Sequence, residues 1–241
     1  FCDFLTARAR YSLVWVTASA PFGLVLVILG LMSWRQSEVW RDTKTLWRHV
    51  IAVAPESSIA HYNLGRIFES DSQFAEALEY YRRALVNNPL NADAHYNLAR
   101  LLAKQGEPDE AISHYRTVLK IRPKDAEAHN NLGLLLVARG ESEAGLSEFQ
   151  QAVQLDPKYT KAFFNMGRVL AQQSKLNDAT QNLQRALSVS PNEVEILVVL
   201  ADILTRQRRF AEAVAHLHKS AAIKREIADV HVALARALAA D

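Results

Sequence analysis

The sequence predicts an all-α protein with one N-terminal transmembrane helix followed by an α-solenoid of about five and a half helix pairs. Two observations lead to this fold class. A stretch without any charged residue runs from position 11 to 34, near the start of the chain. A helical phrase then returns at a constant interval, as AHYNLGRIF from Ala60, AHYNLARLL from Ala94, AHNNLGLLL from Ala128 and AFFNMGRVL from Ala162. A fixed period of this size indicates stacked copies of one supersecondary unit.

The uncharged stretch, YSLVWVTASAPFGLVLVILGLMSW, has the length of a membrane span. As a helix its 24 residues reach about 36 Å, which is enough to cross a hydrocarbon layer of roughly 30 Å with some tilt. A signal peptide ending at Ala20 would leave Pro21 as the first mature residue, although the apolar run continues past it. A buried core helix would be shorter and less uniformly apolar. We therefore expect residues 11–34 to have the lipid bilayer as their partner.

Each repeat unit contains two amphipathic helical patterns joined by a short polar turn. Small residues recur on both helices, which allows the two backbones of a unit to approach closely. Prolines recur at the same interval as the helical phrase and end the second helix of each unit. They are Pro55, Pro89, Pro123, Pro157 and Pro191, and the small residues are Gly65, Ala99, Gly133, Gly167 and Ala201 on the first helix and Ala77, Ala111, Gly145, Ala179 and Ala213 on the second.

The periodicity predicts a domain organisation for the whole chain. Because the chain begins with Phe1, we expect it to continue a longer upstream region. The predicted segments are a flank of that region (1–10), the transmembrane helix (11–34), a capping half-repeat (35–57), five repeat units (58–91, 92–125, 126–159, 160–193 and 194–227, together 58–227) and a terminal helix (228–241).

These units resemble the tetratricopeptide repeat, whose helix–turn–helix signature has the same period, about 34 residues. The resemblance covers residues 58–241 and rests on the small, large and proline positions together. It implies a right-handed superhelix in which the first helices line a concave surface. Proteins of this kind bind a peptide segment or a partner protein in that groove, and we expect such a partner here.

The junction between the apolar stretch and the repeats carries a second resemblance. The uncharged span is followed by W-R-x4-L-W, then a proline, then Y-N-L-G, over residues 24–65. This order is similar to that of transmembrane and tetratricopeptide-repeat O-mannosyltransferases and their bacterial relatives. The resemblance implies an integral membrane protein of the bacterial inner membrane with periplasmic repeats, or of the endoplasmic reticulum with lumenal repeats. The glycosyltransferase domain of those proteins has no counterpart in this sequence.

Composition and motifs exclude several other classes of function. A net charge of +2 gives no reason to expect a nucleic-acid partner. No phosphate-binding loop, catalytic triad or Cys/His pair stands out, so we expect neither an enzyme in this segment nor a cofactor. Four histidines share one repeat position, but successive units lie about 8–10 Å apart, too far for a shared zinc ion. We therefore predict no metal site and a packing role for them: His61, His95, His129 and His231.

A ladder of asparagines is the candidate binding surface. An asparagine amide can both donate to and accept from the backbone of an extended peptide, arginines can pair with carboxylates, and aromatic rings add apolar contact. The alternative is that the asparagines support the repeat through local hydrogen bonds. The candidate residues are Asn63, Asn97, Asn131 and Asn165, followed one turn later by Arg66, Arg100 and Arg168, with Leu134 interrupting the series, and preceded by Tyr62, Tyr96 and Phe164.

Three functions are consistent with this sequence. The first is a membrane-tethered scaffold that mediates protein–protein interaction through its concave groove. The second is the C-terminal, substrate-recruiting part of a multi-span C-type glycosyltransferase. The third is an accessory subunit or assembly factor whose partners include other membrane subunits.

Overall fold

The computed structural model describes residues 42–223, and these residues form eleven α-helices and no strand. The all-α prediction is confirmed for this part of the chain. The predicted transmembrane helix at 11–34 and the predicted terminal helix at 228–241 lie outside the described residues. No helix within 42–223 is both long and apolar enough to cross a bilayer. The helices are α1 Thr43–Val53, α2 Ser58–Ser70, α3 Phe74–Asn87, α4 Ala92–Gln105, α5 Pro108–Ile121, α6 Ala126–Ala138, α7 Ser142–Leu155, α8 Thr160–Gln172, α9 Leu176–Val189, α10 Val194–Arg206 and α11 Phe210–Ile223.

The chain divides into two compact units, residues 1–89 and residues 90–241. In the first unit, α1 packs against α2, and α2 pairs with α3. In the second unit, the first helices α4, α6, α8 and α10 each pair with the helix that follows. The first helices also contact one another in order, α4 with α6, α6 with α8 and α8 with α10. Within the second unit the helix pairs therefore stack in chain order, as in an α-solenoid.

Most first helices begin at a side-chain cap. The caps of α2, α4 and α6 are Ser57, Asn91 and Asp125, which occupy the same repeat position. Each side-chain oxygen accepts a hydrogen bond from the backbone N–H three residues later, at 2.9–3.3 Å. A cap of this kind satisfies one of the four N–H groups that the first turn leaves without a partner. The cap therefore fixes the residue at which each of these helices begins.

The turn inside each helix pair uses one left-handed residue. These residues also share one repeat position, at Ser72, Gly106, Gly140, Ser174 and Arg208, with φ between 61° and 90°. Glycine adopts this conformation without steric cost, whereas a residue with a Cβ is strained there. The chain accepts that strain in three of the five turns, so the turn geometry is imposed by the packing of the helices that it joins.

The core of each pair forms where a small residue of the first helix meets a large residue of the second. A Cβ on Gly133 would lie 2.7 Å from the ring of Phe149, and one on Gly65 would lie 2.7 Å from the ring of Tyr81. Both rings are fully buried. The close approach predicted from the small residues is thus confirmed. In the α6–α7 pair, glycine stands on both helices, at Gly133 and Gly145.

We expect Gly145→Ala to destabilise the protein. Its new Cβ would lie 2.8 Å from the backbone oxygen of Gly133 and 2.5 Å from a methyl group of Val137. Helix propensity alone would favour alanine by about 1 kcal/mol. Overpacking typically costs about 1–3 kcal/mol, and backbone cannot move aside as a side chain can. The net loss in the free energy of unfolding is measurable by urea denaturation.

The reverse substitution at the equivalent site, Ala111→Gly, is the matched control. It removes a fully buried methyl group and creates no clash, so it reports propensity and cavity terms without overpacking. If Gly145→Ala is more stable than wild type, the two helices can move apart enough to accept the new methyl group, and the overpacking explanation is wrong.

Candidate partner-binding face

The predicted site residues lie on the first helices, but they are divided between the two units. Tyr62, Asn63 and Arg66 lie on α2 in the first unit. The others lie on α4, α6 and α8 in the second unit. Because α4 contacts α6 and α6 contacts α8, the second unit presents one continuous surface of first helices. We call the surface formed by α4, α6 and α8 the first-helix face.

In the first unit, the asparagine bonds to its own helix. The Asn63 Nδ2 donates to the backbone oxygen of Ile59 at 2.9 Å, and the side chain is partly exposed. The exposed Arg66 guanidinium lies 5.9 Å from the centre of the Tyr62 ring. Both of these contacts lie within α2.

In the second unit, the asparagines connect successive repeats. The Asn131 Nδ2 donates to the Tyr96 hydroxyl at 2.9 Å, and the Asn165 Nδ2 donates to the Asn130 Oδ1 at 2.8 Å. Asn130 in turn donates to the Asn131 Oδ1 at 3.2 Å. Both repeat-to-repeat bonds join residues 35 positions apart, so they use the same pair of repeat positions. The result is a continuous chain of hydrogen bonds from α4 through α6 to α8.

The two tyrosines at one end of this chain are held neutral. Burial raises the pKa of Tyr96 well above its usual range, and the hydrogen bond to the Glu127 carboxylate adds to the effect. Burial likewise raises the pKa of Tyr115, while its hydrogen bond with Asn131 and the nearby Arg100 charge oppose the rise. A neutral hydroxyl can donate to Glu127 while it accepts from Asn131, so the network keeps its donors and acceptors matched.

Burial separates the asparagines into two groups. Asn165 is 9% exposed, and Asn130 is 2% exposed. At this depth neither amide is accessible to a ligand at the surface. Asn97 and Asn131 are partly exposed. The ladder that the sequence shows as one series is therefore part framework and part surface.

The arginine positions give the first-helix face its exposed chemistry. Arg168 is exposed, and its guanidinium lies 5.6 Å from the centre of the Phe164 ring. Among residues 42–223 it forms no ion pair with a carboxylate. Arg100 is partly exposed, and its Nη2 lies 3.5 Å from the Asn97 Oδ1. Between them in chain order, Leu134 is 43% exposed on α6.

The histidine position is a contact between the two helices of a pair. His95 Nδ1 lies 2.8 Å from His114 Nδ1, and His129 Nδ1 lies 2.7 Å from a Glu148 oxygen. His61 is buried, and its Nδ1 lies 2.9 Å from the Ser57 carbonyl oxygen. Among the described residues, no group of three or more His, Cys, Asp or Glu side chains is arranged to hold a metal ion. His231 lies outside the described residues.

Sequence reasoning missed two parts of this site. Asn130 was not among the candidates, although it accepts the hydrogen bond of Asn165. The signal was available, because Asn130 replaces an aromatic residue at the repeat position that faces the next asparagine of the ladder. The pairing of His95 and His129 with the residue 19 positions later was also missed, since a single repeated position does not reveal its neighbour on the second helix.

The chain belongs to the tetratricopeptide repeat family. One family model, described as a tetratricopeptide repeat, matches residues 34–92, 70–126 and 96–160, and a second with the same description matches residues 170–240. Proteins of this family are in general scaffolds that bind peptides or other proteins. A comparison with curated proteins gives no match.

Solved structures of tetratricopeptide proteins share the fold. YrrB, described as a protein with an unusual peptide-binding site, is 21% identical, with 78% of this chain and 96% of that chain covered and a TM-score of 0.65. PilF of Pseudomonas aeruginosa is 26% identical, with coverages of 77% and 84% and a TM-score of 0.68. PilW, described as a type IV pilus biogenesis factor, is 17% identical, with coverages of 84% and 94% and a TM-score of 0.71.

The two groups of asparagines should respond differently to truncation. Asn165→Ala leaves the buried Asn130 oxygen without its donor, which typically costs about 1–3 kcal/mol. Asn63→Ala removes a partly exposed bond within one helix, where water can replace the lost donor, and should cost no more than about 0.5 kcal/mol. Urea denaturation of both variants measures the difference. Equal losses would mean that the bond between α6 and α8 adds nothing beyond a local contact.

Stability should fall at high pH because of the tyrosines. Burial, followed by the nearby Glu127, Asp125 and Asp156 carboxylates, raises the pKa of Tyr159 to about 12, whereas an unfolded tyrosine ionises near 10. The raised pKa contributes stability that is complete below pH ~10 and is lost as the pH rises towards 12. Tyr159→Phe should therefore lose less stability than wild type between pH 10 and 12. The difference in the free energy of unfolding between the two proteins at pH 7 is the reference. If this free energy falls equally steeply with pH above 10 in both proteins, the assignment to Tyr159 is contradicted.

Proposed function

We propose that this protein is a membrane-tethered scaffold whose first-helix face binds an extended segment of a partner protein. The observation that carries the proposal is the combination of the exposed Arg168 and the partly exposed Arg100 with aromatic and aliphatic groups on α4, α6 and α8. Arg100, Leu134 and Arg168 occupy one repeat position on three helices that contact each other in sequence. A row of this kind presents side chains to a partner at regular intervals, as an extended peptide presents its own.

The hydrogen-bonded framework below the row supports binding. The bonds of Asn131 to Tyr96 and of Asn165 to Asn130 connect the three helices before any partner arrives. Fixing the helices in advance lowers the ordering cost of association. The partly exposed Asn97 can add contacts to the partner backbone, and the Asn131 Oδ1, which accepts one bond from Asn130, can accept a second from the partner. Asn165 contributes to the framework alone.

The aromatic residues of the candidate site act mainly through the arginines in this proposal. A guanidinium within about 6 Å of a ring centre is held by a cation–π interaction. Arg168 lies over Phe164 in this way, and Arg66 lies over Tyr62 in the first unit. Each ring restricts the conformations of its arginine side chain, so the guanidinium stays close to one place on the surface.

The membrane tether is the second part of the proposal. It rests on the uncharged residues 11–34 and on the basic residues at both ends of that stretch. We place the repeats in the periplasm of a bacterium, with the lumen of the endoplasmic reticulum as the alternative. If the full chain stays in the membrane during extraction with alkaline carbonate, the tether is supported. If it is extracted completely, the tether is ruled out.

Two narrower versions of this proposal differ in the larger protein or complex to which the scaffold belongs. In one, the face recruits substrates for a C-type glycosyltransferase encoded upstream of Phe1. In the other, it joins an accessory subunit to a larger membrane complex. The full-length gene product separates them, because only the first version requires several further spans and an acidic motif in a lumenal loop.

Site-specific photo-cross-linking tests where the partner binds. A photoreactive amino acid at Leu134 should form an adduct with a defined protein when the full chain is irradiated in native membranes. The same amino acid at Arg116, which is exposed on the second helix α5, is the matched control. We expect an adduct from position 134 and none from position 116.

The variant Arg168→Glu provides the second arm of this experiment. It changes the first-helix face without touching the cross-linking position and should abolish the adduct at position 134. An adduct from position 116 alone would place the partner on the second helices. Adducts of equal yield at both positions would indicate collision rather than binding, and either result would overturn the proposal.

A further inference from the structure

Leu134 interrupts the arginines at a single point of the first-helix face. The row has a cation on α4 at Arg100, an exposed aliphatic side chain on α6 at Leu134 and a cation on α8 at Arg168. On the next first helix, α10, the same position holds the exposed Asp202. The two positive positions therefore flank one apolar position, and a negative position ends the series.

We propose that this row reads a partner segment with two acidic residues and an apolar residue midway between them. The inference rests on the proposed function and names the chemistry of the segment that the face binds. Arg100 and Arg168 each pair with a carboxylate, and Leu134 packs against the apolar side chain. Arginine suits carboxylates because its planar guanidinium can donate two parallel hydrogen bonds.

The spacing of the segment follows from the geometry of the helices. Packed helices have axes about 8–10 Å apart, so two steps from α4 to α8 span roughly 16–20 Å. A peptide in the polyproline II conformation advances about 3.1 Å per residue and turns every third side chain to the same side, so six residues span about 19 Å. The best fit is an acidic residue, two spacers, an apolar residue, two spacers and a second acidic residue.

The surroundings of the two arginines favour an anionic ligand. Arg168 has no carboxylate in ion-pair contact among residues 42–223, so a ligand carboxylate need not displace an internal one. Arg100 lies beside the neutral Tyr115, whose pKa it lowers against the effect of burial.

Leu134 is the specificity-determining residue in this arrangement. Replacing it with arginine would restore an uninterrupted row of cations. The central position of the ligand would then favour an acidic residue over an apolar one. No change in the fold is expected, because Leu134 is exposed and arginine is as good a helix former as leucine.

Designed peptides test the inference on the full chain in detergent. The probe is a fluorescent, end-blocked peptide with an aspartate, two serines, a leucine, two serines and an aspartate at its centre. Fluorescence anisotropy at low salt should show saturable binding to wild type. Arg100→Glu and Arg168→Glu should each weaken it by about tenfold or more, and Arg116→Glu, on α5, should not.

The most specific part of this experiment exchanges charges between the peptide and the protein. A peptide with lysine in place of one aspartate should bind wild type poorly and should regain affinity for one of the two variants, Arg100→Glu or Arg168→Glu. A peptide with a third aspartate in place of the leucine should bind Leu134→Arg better than it binds wild type. Binding should weaken with added salt because the pairs are partly exposed.

Failure of this inference is distinct from failure of the proposed function. A cross-link at position 134 together with equal binding of all designed peptides, or of none, would overturn the acidic–apolar–acidic assignment alone. Loss of the cross-link would remove the docking face itself. Self-association of the chain that Arg168→Glu abolishes would assign the face to a second copy and would also overturn the inference.

Discussion

The contact between a small residue on one helix and a large residue on its partner determines the rest of this structure. Where Gly133 meets Gly145 and Phe149, no Cβ can be added without displacing backbone or a buried ring. This contact fixes the rotation of the first helix about its own axis. Within the second unit, the contact returns in successive helix pairs. The same repeat position therefore points to the same side in each pair. A row of side chains on one face is a direct consequence.

The row divides into a framework and a surface because its members differ in depth. Asn165 and Asn130 lie deep enough that their amides must satisfy each other, and leaving either amide unpaired would be costly. Arg168 and Leu134 lie further out and remain exposed. The two roles support each other, since the buried hydrogen bonds hold α6 and α8 in the positions that give the exposed side chains their spacing.

Sequence reasoning predicted the period, the helix pairs and the packing of small against large residues, because each depends on one position that recurs at a constant interval. It could not divide the asparagines. Asn63 bonds to Ile59 on its own helix, whereas Asn131 reaches Tyr96 in the preceding repeat. The difference depends on which residue the preceding repeat places opposite each asparagine. That neighbour can be recognised only when two adjacent repeats are compared as a pair.

The buried Asn130 and Asn165 connect the helices, whereas we propose that Arg100, Leu134 and Arg168 contact the partner. The most direct measurement is nuclear magnetic resonance of the full chain in detergent, following side-chain signals as the acidic probe peptide is added. We expect the Arg100 and Arg168 Nε–H signals and the Leu134 methyl signals to shift, with the Asn165 amide unchanged. A shift of the Asn165 amide while the arginine signals stay fixed would contradict this proposal.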